Sequence, residues 1–243
     1  PLVDIIVEVD DSFFEGTSIN KGVMQLVSKE IKKNLLDKLS DVSKVVSCGG
    51  SCPNTLIALS DMGIKTVFGG AIGNDSFGEK FQSEMTRLGV KSEVVIKDTP
   101  TGTSLILITD DAERTMNTHL GACRTFSRKD IDEERLCSSR FFYFTGYMWD
   151  TPEQKDAVRH AIELAKKNDV KIIFDVADPF SVINSRNDFL KLIKEDVDHV
   201  FCNCEEVKEL FSSSSPEEGL AELMKSAKAG AVKIGAKGSY VFK

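Results

Sequence analysis

The stretch from Arg140 to Val176, RFFYFTGYMWDTPEQKDAVRHAIELAKKNDVKIIFDV, decides the fold. It opens with RFFYFTG, aromatic and extended in character, which suits a strand. Thr151-Pro152-Glu153-Gln154 then joins a capping box to a proline at the first helical position. Ala157, Val158, Ala161, Ile162 and Ala165 recur at helical spacing and make one buried face. VKIIFDV follows as a nearly continuous apolar run, as expected of a strand covered on both faces of a parallel sheet. Strand, helix, strand in this order is a crossover unit, and such units build α/β sheets.

The same rhythm continues downstream. HVFCN reads as another buried strand, followed by a helix from about Glu205 to Phe211. SSSSPEEG is a loop with a fresh helix start at Ser215-Pro216, and AVKIGAKGSYVFK closes the chain with two short strands. Upstream, Val3–Val9 (VDIIVEV) is a strand whose apolar character Asp4 interrupts. In CGGSCPNTLIALSDMG, Cys48 to Gly63, the core stripe of a short helix is Leu56, Leu59 and Met62, and Gly63 suits the C′ position. KTVFGGAIG is a short strand running into glycines. Asp75 or Ser76 caps the next helix, with Phe77, Phe81, Met85 and Leu88 on one face and Gly89 as its stop.

Between Val94 and Leu120 the pattern changes. VVIKD, TGTSLILIT and ERTMNTHLG read as strands, with a polar turn at Asp110-Asp111 and no helix between the last two, so an antiparallel hairpin is expected. It would form a small sheet standing off the main domain, with Gly69-Gly70 as a hinge. The expected architecture is a doubly wound, mostly parallel sheet flanked by helices. It occupies a single domain over residues 1–243, with a small β lid formed from about 3–20 and 94–120.

Bulk properties narrow the function. The 243 residues carry a net charge of −7, and Lys and Arg are scattered, which argues against nucleic acid and anionic membrane as partners. No apolar run reaches the ~18 residues that cross a bilayer, and no basic-then-apolar signal opens the chain. The expected location is cytoplasmic. Cys48, Cys52, Cys123, Cys137, Cys202 and Cys204 fit reduced thiols in a long chain without an export signal. Cys202-Asn203-Cys204 is not a zinc-knuckle spacing.

In an open α/β sheet, ligands bind outside the carboxyl ends of the strands. Polar or glycine clusters fall at five expected strand ends: Gly49–Asn54, Gly146–Asp150, Asp175–Asp178, Asn203–Glu206 and Gly235–Gly238. Gly49 and Gly50 let a ligand approach backbone N–H groups, and Ser51 and Asn54 add side-chain hydrogen bonds. Asn54 can donate to one hydroxyl and accept from its neighbour, and Asp4 can accept from the same diol. The turn is neither a Walker loop nor a dinucleotide fingerprint, and it also reads as an N-cap with a tight entry. Asp4 also reads as a solvated edge residue. Asn203 and Glu206, three apart at a strand-to-helix junction, are oxygen ligands suited to Mg²⁺ through water, or ordinary helix capping. Gly235 and Gly238 suit a nucleotide phosphate or base edge, or a hairpin turn. Arg114 would meet a phosphate if aimed inward and is a solvated strand residue if aimed outward. His119, His160 and His199 have no Ser or Cys arranged around them, so no hydrolase triad is read.

Taken together these segments resemble the ribokinase, or PfkB-type, family of carbohydrate and nucleoside kinases, most of all its adenosine kinase branch. PLVDI, GGSCPNT, FGGAIGNDSFGEKF, TGTSLILIT, ERTMNTHLGA, FTGYMWDTPE, FDVADPF and NCEEVKELF match in order and spacing over essentially the whole chain. NCEE fits the family's N-x-x-E motif. The resemblance implies phosphoryl transfer from ATP with Mg²⁺ to a primary hydroxyl of a ribose-like substrate, adenosine in the first instance. On it Asp4, Gly49, Gly50, Ser51 and Asn54 hold the ribose hydroxyls, and Met116, Leu120, Tyr147 and Met148 line the space for the base. Arg114 meets the phosphates as the small sheet closes as a lid. Asn203 and Glu206 position Mg²⁺ and its waters, with Asp175 near the same phosphates, and Lys233, Gly235 and Gly238 border the nucleotide. A homodimer through the lid is a further expectation.

One departure stands out. The family carries a Gly-Ala-Gly-Asp motif downstream of the segment resembling AVKIGAKGSYVF, and its Asp is the catalytic base. That motif does not occur within the 243 residues. The expectation is therefore a poor catalyst or none as the sequence stands, read as a fragment of a longer kinase, or else as a remnant that only binds. The alternatives carried forward are a sugar kinase of ribose or fructose type and a non-catalytic ligand-binding module. A nicotinamide-dependent oxidoreductase fails for want of a GxGxxG after the first strand.

Overall fold

The computed structural model describes residues 1–243. The chain divides into two compact units, Pro1–Phe126 and Ser127–Lys243.

In the N-terminal unit the chain runs β1 (Leu2–Glu8), β2 (Met24–Leu26), α1 (Lys29–Lys38), β3 (Val45–Gly49), α2 (Ser51–Asp61), β4 (Val67–Gly73), α3 (Ser76–Arg87), β5 (Lys91–Lys97), β6 (Thr103–Ile108) and β7 (Arg114–His119). Five strands make one sheet in the order β2-β7-β6-β1-β3. β6 and β7 form the expected antiparallel hairpin. β1 lies parallel to β6 and antiparallel to β3, so it is central rather than an edge. β4 and β5 pair in parallel as a separate two-stranded sheet.

Alternation along β1 sets the layers. Val3, Ile5 and Val7 are fully buried, while Leu2, Asp4 and Ile6 are half-buried on the other face. Val3 joins Phe68, Ile72, Phe81 and Met85; Ile5 and Val7 join Leu35, Leu39, Leu105 and Leu107. Each such side chain contributes about 1.5–3 kcal/mol by leaving water. Asp75 caps α3: its Oδ1 accepts from Gly78 N at 2.9 Å and from the Thr101 hydroxyl at 2.6 Å. Its Oδ2 accepts from Thr101 N at 2.9 Å, so one carboxylate fastens the β4–α3 turn to the start of β6.

Two expectations are corrected here. Gly69 and Gly70 lie inside β4, paired with Glu93 and Val94, where the ladder bonds hold them extended and leave no hinge. Met62 belongs to no core stripe: it is 78% exposed at the end of α2, after the helical face has turned to solvent. Gly63, at φ 80°, does take the left-handed position that ends the helix.

In the C-terminal unit, β8 (Phe141–Thr145), β9 (Lys171–Asp175), β10 (His199–Asn203), β11 (Gly230–Lys233) and β12 (Ser239–Phe242) lie in the order β12-β11-β10-β9-β8. The first four are parallel, and β12 adds an antiparallel edge. α4 (Glu133–Cys137), α5 (Pro152–Lys167), α6 (Pro179–Glu195), α7 (Cys204–Phe211) and α8 (Pro216–Ser226) connect and flank them. The capping box read at Thr151 and Gln154 is present, and Ala157, Val158, Ala161, Ile162 and Ala165 are all buried. Phe144 stacks on Phe174, and Phe189 meets Phe174 edge-on, in the core. This is the doubly wound α/β arrangement expected from the sequence. No helix is long and apolar enough to cross a membrane.

Candidate functional site

In the N-terminal unit the strand register places Asp4 in a polar row. Asp4 pairs with Ser47 on β3 and with Ser104 on β6, and Ser104 pairs with Thr118 on β7. Paired residues point to the same face of a sheet, so these four side chains share one face. Ser104 and Thr118 satisfy each other at 3.0 Å. Asp4 has no protein donor within hydrogen-bond distance, and burial alone pushes its carboxyl up.

Gly49 explains how that carboxylate is accommodated. A Cβ built on Gly49 would sit 2.2 Å from Asp4 Oδ2 and 2.6 Å from Oδ1, so the carboxylate occupies the space of a side chain. Gly50 follows at φ 104°, a backbone that strongly favours glycine, and caps α2. Ser51 and Asn54 stand exposed on the first turn of α2, and Asn54 N donates to Gly50 O at 3.1 Å. The structure thus brings Gly49 onto Asp4 and sets Ser51 and Asn54 a short way along the same turn.

β7 supplies further predicted residues. Arg114, Met116 and Thr118 alternate onto one face, the face of Asp4. Arg114 is exposed. Leu120 follows the strand, and its carbonyl lies 2.5 Å from where a Cβ of Gly102 would be. Ser47, Ser104 and Thr118 escape sequence reading; only the pairing register reveals them.

In the C-terminal unit the predicted residues gather at the carboxyl ends of the parallel strands. Asp175 ends β9; its Oδ1 accepts from Ala177 N at 3.0 Å and its Oδ2 from Lys233 Nζ at 3.2 Å. Lys233 ends β11, so the pair bridges two strand ends. Asn203 ends β10 and caps α7. Asn203 Oδ1 accepts from Glu206 N at 2.9 Å, while Glu206 accepts from Asn203 N at 2.8 Å and from Nδ2 at 2.7 Å. The capping alternative is therefore what the side chains do here. Glu206 is 2% exposed, and burial pushes its carboxyl up despite the Asn203 bond and the Lys233 charge, with Asp175 and Asp178 adding repulsion. Gly235, at φ 62°, and Gly238, at φ 100°, flank the turn between β11 and β12, with open space beside each. They make the hairpin turn, and the open space leaves room for a ligand edge.

Tyr147 and Met148 lie in a 3-10 turn, Gly146–Trp149, directly after β8. Burial first, then the charges of Asp178, Glu206 and Asp175, push the Tyr147 hydroxyl up to about 12. Those carboxylates therefore act on Tyr147 through space. Asp178, within the strand-end cluster read from the sequence, caps α6, and the exposed Phe180 beside it was not singled out. His160 contacts Glu133 at 2.6 Å on the α4–α5 side, apart from these strand ends.

One unit thus carries parallel strands whose carboxyl ends hold acids, a lysine and open glycines, where α/β sheets take their ligands, and the other a mixed sheet with an unpaired carboxylate. A profile of the pfkB family carbohydrate kinases matches residues 23–243, and the chain belongs to that family. The adenosine kinase of Sinorhizobium meliloti is 33% identical, with a TM-score of 0.90, over 100% of this chain and 74% of that one. A probable sugar kinase from Rhizobium etli CFN 42 is 30% identical, with a TM-score of 0.90 and the same coverage. The 5-dehydro-2-deoxygluconokinase of Bacillus licheniformis is 25% identical over 96% of this chain and 74% of its own length. The class is a phosphotransferase: a sugar or nucleoside kinase.

Proposed function

We propose that the chain serves ATP- and Mg²⁺-dependent phosphorylation of a primary hydroxyl on a ribose-containing substrate, with adenosine or a related nucleoside as acceptor. The observation that carries this reading is Asp4: a half-buried carboxylate on a central strand, without a protein donor, seated on a glycine that leaves it room. An unpaired buried acceptor is costly unless something supplies donors, and vicinal hydroxyls do so. Asp4, Gly49, Gly50, Ser51 and Asn54 are assigned to those hydroxyls. Met116, Leu120, Tyr147 and Met148 are assigned to a flat apolar base, which favours a nucleoside over a free sugar. Arg114 is assigned to the transferring phosphate.

The strand-end donors of the C-terminal unit are hard oxygens, which suit Mg²⁺. Both oxygens of Glu206 already serve Asn203, so an ion held through its own waters fits better than one in direct contact. Mg²⁺ bound there would neutralise charge on the transferring phosphoryl group. Asn203, Glu206 and Asp175 would hold its waters, and Lys233, Gly235 and Gly238 would border the nucleotide. The lid role of about 3–20 and 94–120, pairing of two copies through it, and a cytoplasmic setting belong to the same proposal. A sugar kinase is the second reading, supported by the 5-dehydro-2-deoxygluconokinase likeness.

The test is calorimetric titration with adenosine, ribose, fructose and 5-dehydro-2-deoxygluconate, each with and without Mg²⁺-ATP. Adenosine is expected to bind, with turnover measured in the presence of Mg²⁺-ATP. Binding of a free sugar or sugar acid without adenosine moves the acceptor to the sugar kinases. Ligand affinity with no turnover makes it a binding module.

A further inference from the structure

Tyr147 and Met148, the residues of the C-terminal unit assigned to the base, hang from a 3-10 turn of four residues. Such a turn has little hydrogen bonding of its own, and Thr145 gives it no side-chain cap. What holds it lies at its two ends. A Cβ on Gly146 would sit 2.3 Å from Val176 O and 3.0 Å from the Phe189 ring, so the backbone is pressed flat there. At the other end Trp149, 4% exposed, donates from Nε1 to Asp188 Oδ2 at 2.7 Å. The Arg159 guanidinium lies 5.5 Å from the Trp149 ring centroid, and its Nη2 is 3.9 Å from Asp188 Oδ1. Phe189 meets the same indole edge-on at 6.3 Å.

Asp188 is itself well placed to hold. It lies three residues beyond Ser185, where α6 leaves helical geometry at φ −140°. In between, Arg186 fastens the helix to α7 through Glu209 O at 2.6 Å and Glu209 Oε1 at 3.2 Å. The Asp188 side chain is 40% exposed, so the core does not require it.

We propose that Asp188 is a positioning residue for the acceptor: through Trp149, and with Arg159 on its other oxygen, it fixes how Tyr147 and Met148 are presented. The proposal rests on the base-lining reading of those two residues. Trp149 is the only tryptophan in the chain, so its emission reports the turn directly.

Adenosine is titrated calorimetrically into the wild type and four variants, with Trp149 emission recorded on the same samples. Asp188→Ala is expected to raise Kd about tenfold, because the loosened turn must then be ordered when the base binds, and to shift the emission maximum of the free protein. Asp188→Asn keeps an oxygen opposite the indole N–H and is expected to hold Kd within about twofold. Arg159→Ala is expected to raise Kd about threefold and decides the matter if Asp188→Ala does not fold. Tyr147→Ala checks the underlying reading. Unchanged Kd in Asp188→Ala, or a loss in Asp188→Asn equal to that in Asp188→Ala, overturns the proposal. If Tyr147→Ala still weakens binding, the base-lining reading survives that failure. If Tyr147→Ala has no effect, or the wild type binds no adenosine, the base-lining reading falls and takes the proposal with it.

Discussion

Asp4 of the N-terminal unit and the strand-end acids of the C-terminal unit are held in opposite ways. In the N-terminal unit Asp4 stands half-buried with no protein donor, and burial drives its carboxyl up. In the C-terminal unit each strand-end acid is engaged: Asp175 by Ala177 N and Lys233, Asp178 by Phe180 N at 2.7 Å, Glu206 by Asn203. An unpaired acceptor waits for donors that a neutral polyol can supply. A set of acids whose hydrogen bonds are already made instead presents oxygens fixed in place, suited to the waters of a hydrated cation. The contrast teaches that the first sheet lacks a piece of its hydrogen bonding, whereas the second has its own and offers positioned oxygens.

Breaking that contrast most severely, Asp4→Ala should weaken nucleoside binding on the order of 100-fold, about 2.7 kcal/mol for a charged acceptor shared by two hydroxyls. Calorimetry reads it directly. Gly49→Ala comes next, because its Cβ would fall 2.2 Å from Asp4 Oδ2. The carboxylate must move, with about 1–3 kcal/mol lost from stability in thermal unfolding and nucleoside affinity lowered too.

Asp75→Ala sharpens the comparison within one unit, since Asp75 is as fully bonded as Asp4 is bare. It should cost about 2 kcal/mol by freeing Thr101 N and Gly78 N. Burial alone would raise the Asp75 carboxyl, but the Thr101 hydroxyl, the N–H groups of Thr101 and Gly78 and the Lys32 charge hold it below the ordinary value. Its stabilisation is therefore fully present above the unfolded pKa of about 4 and lost as pH falls through the lower folded value. The wild type should lose stability on that acid limb more steeply than Asp75→Ala in pH-dependent denaturant titrations. For Asp4 the sign reverses: its raised carboxyl should make nucleoside affinity begin to fall at a higher pH than an ordinary aspartate would. Smallest is Lys233→Ala. The Asp175–Lys233 pair has a half-exposed lysine, so thermal unfolding should register less than about 1 kcal/mol.

How much of this was legible varies with the kind of signal. α5 announces itself through Thr151-Pro152 and a clean apolar stripe, and α3 through Asp75 and Phe81. α1 passed unread although Ile31, Leu35 and Leu39 repeat every four residues, because six charged residues dilute the stripe. α6 passed unread because Asn184-Ser185-Arg186-Asn187 breaks the pattern where the backbone itself leaves helical geometry. The three residues of β2 are too short for period-two reading to find. Gly69-Gly70 misled in the other direction: glycine freedom suggests a hinge, and only pairing with β5 removes it. Asp4 could be named as a candidate from one polar residue in an apolar run. Its lack of a donor, its contact with Gly49 and its row of Ser47, Ser104 and Thr118 depend on strand register, which composition does not encode.

The most direct test of the central claim compares adenosine with 2′-deoxyadenosine, by calorimetry, against the wild type and Asp4→Asn. The account predicts that the wild type prefers adenosine and that Asp4→Asn largely erases the preference, because the acceptor that reads the missing hydroxyl has lost its charge. An unchanged preference in Asp4→Asn would contradict it and remove Asp4 from the acceptor site.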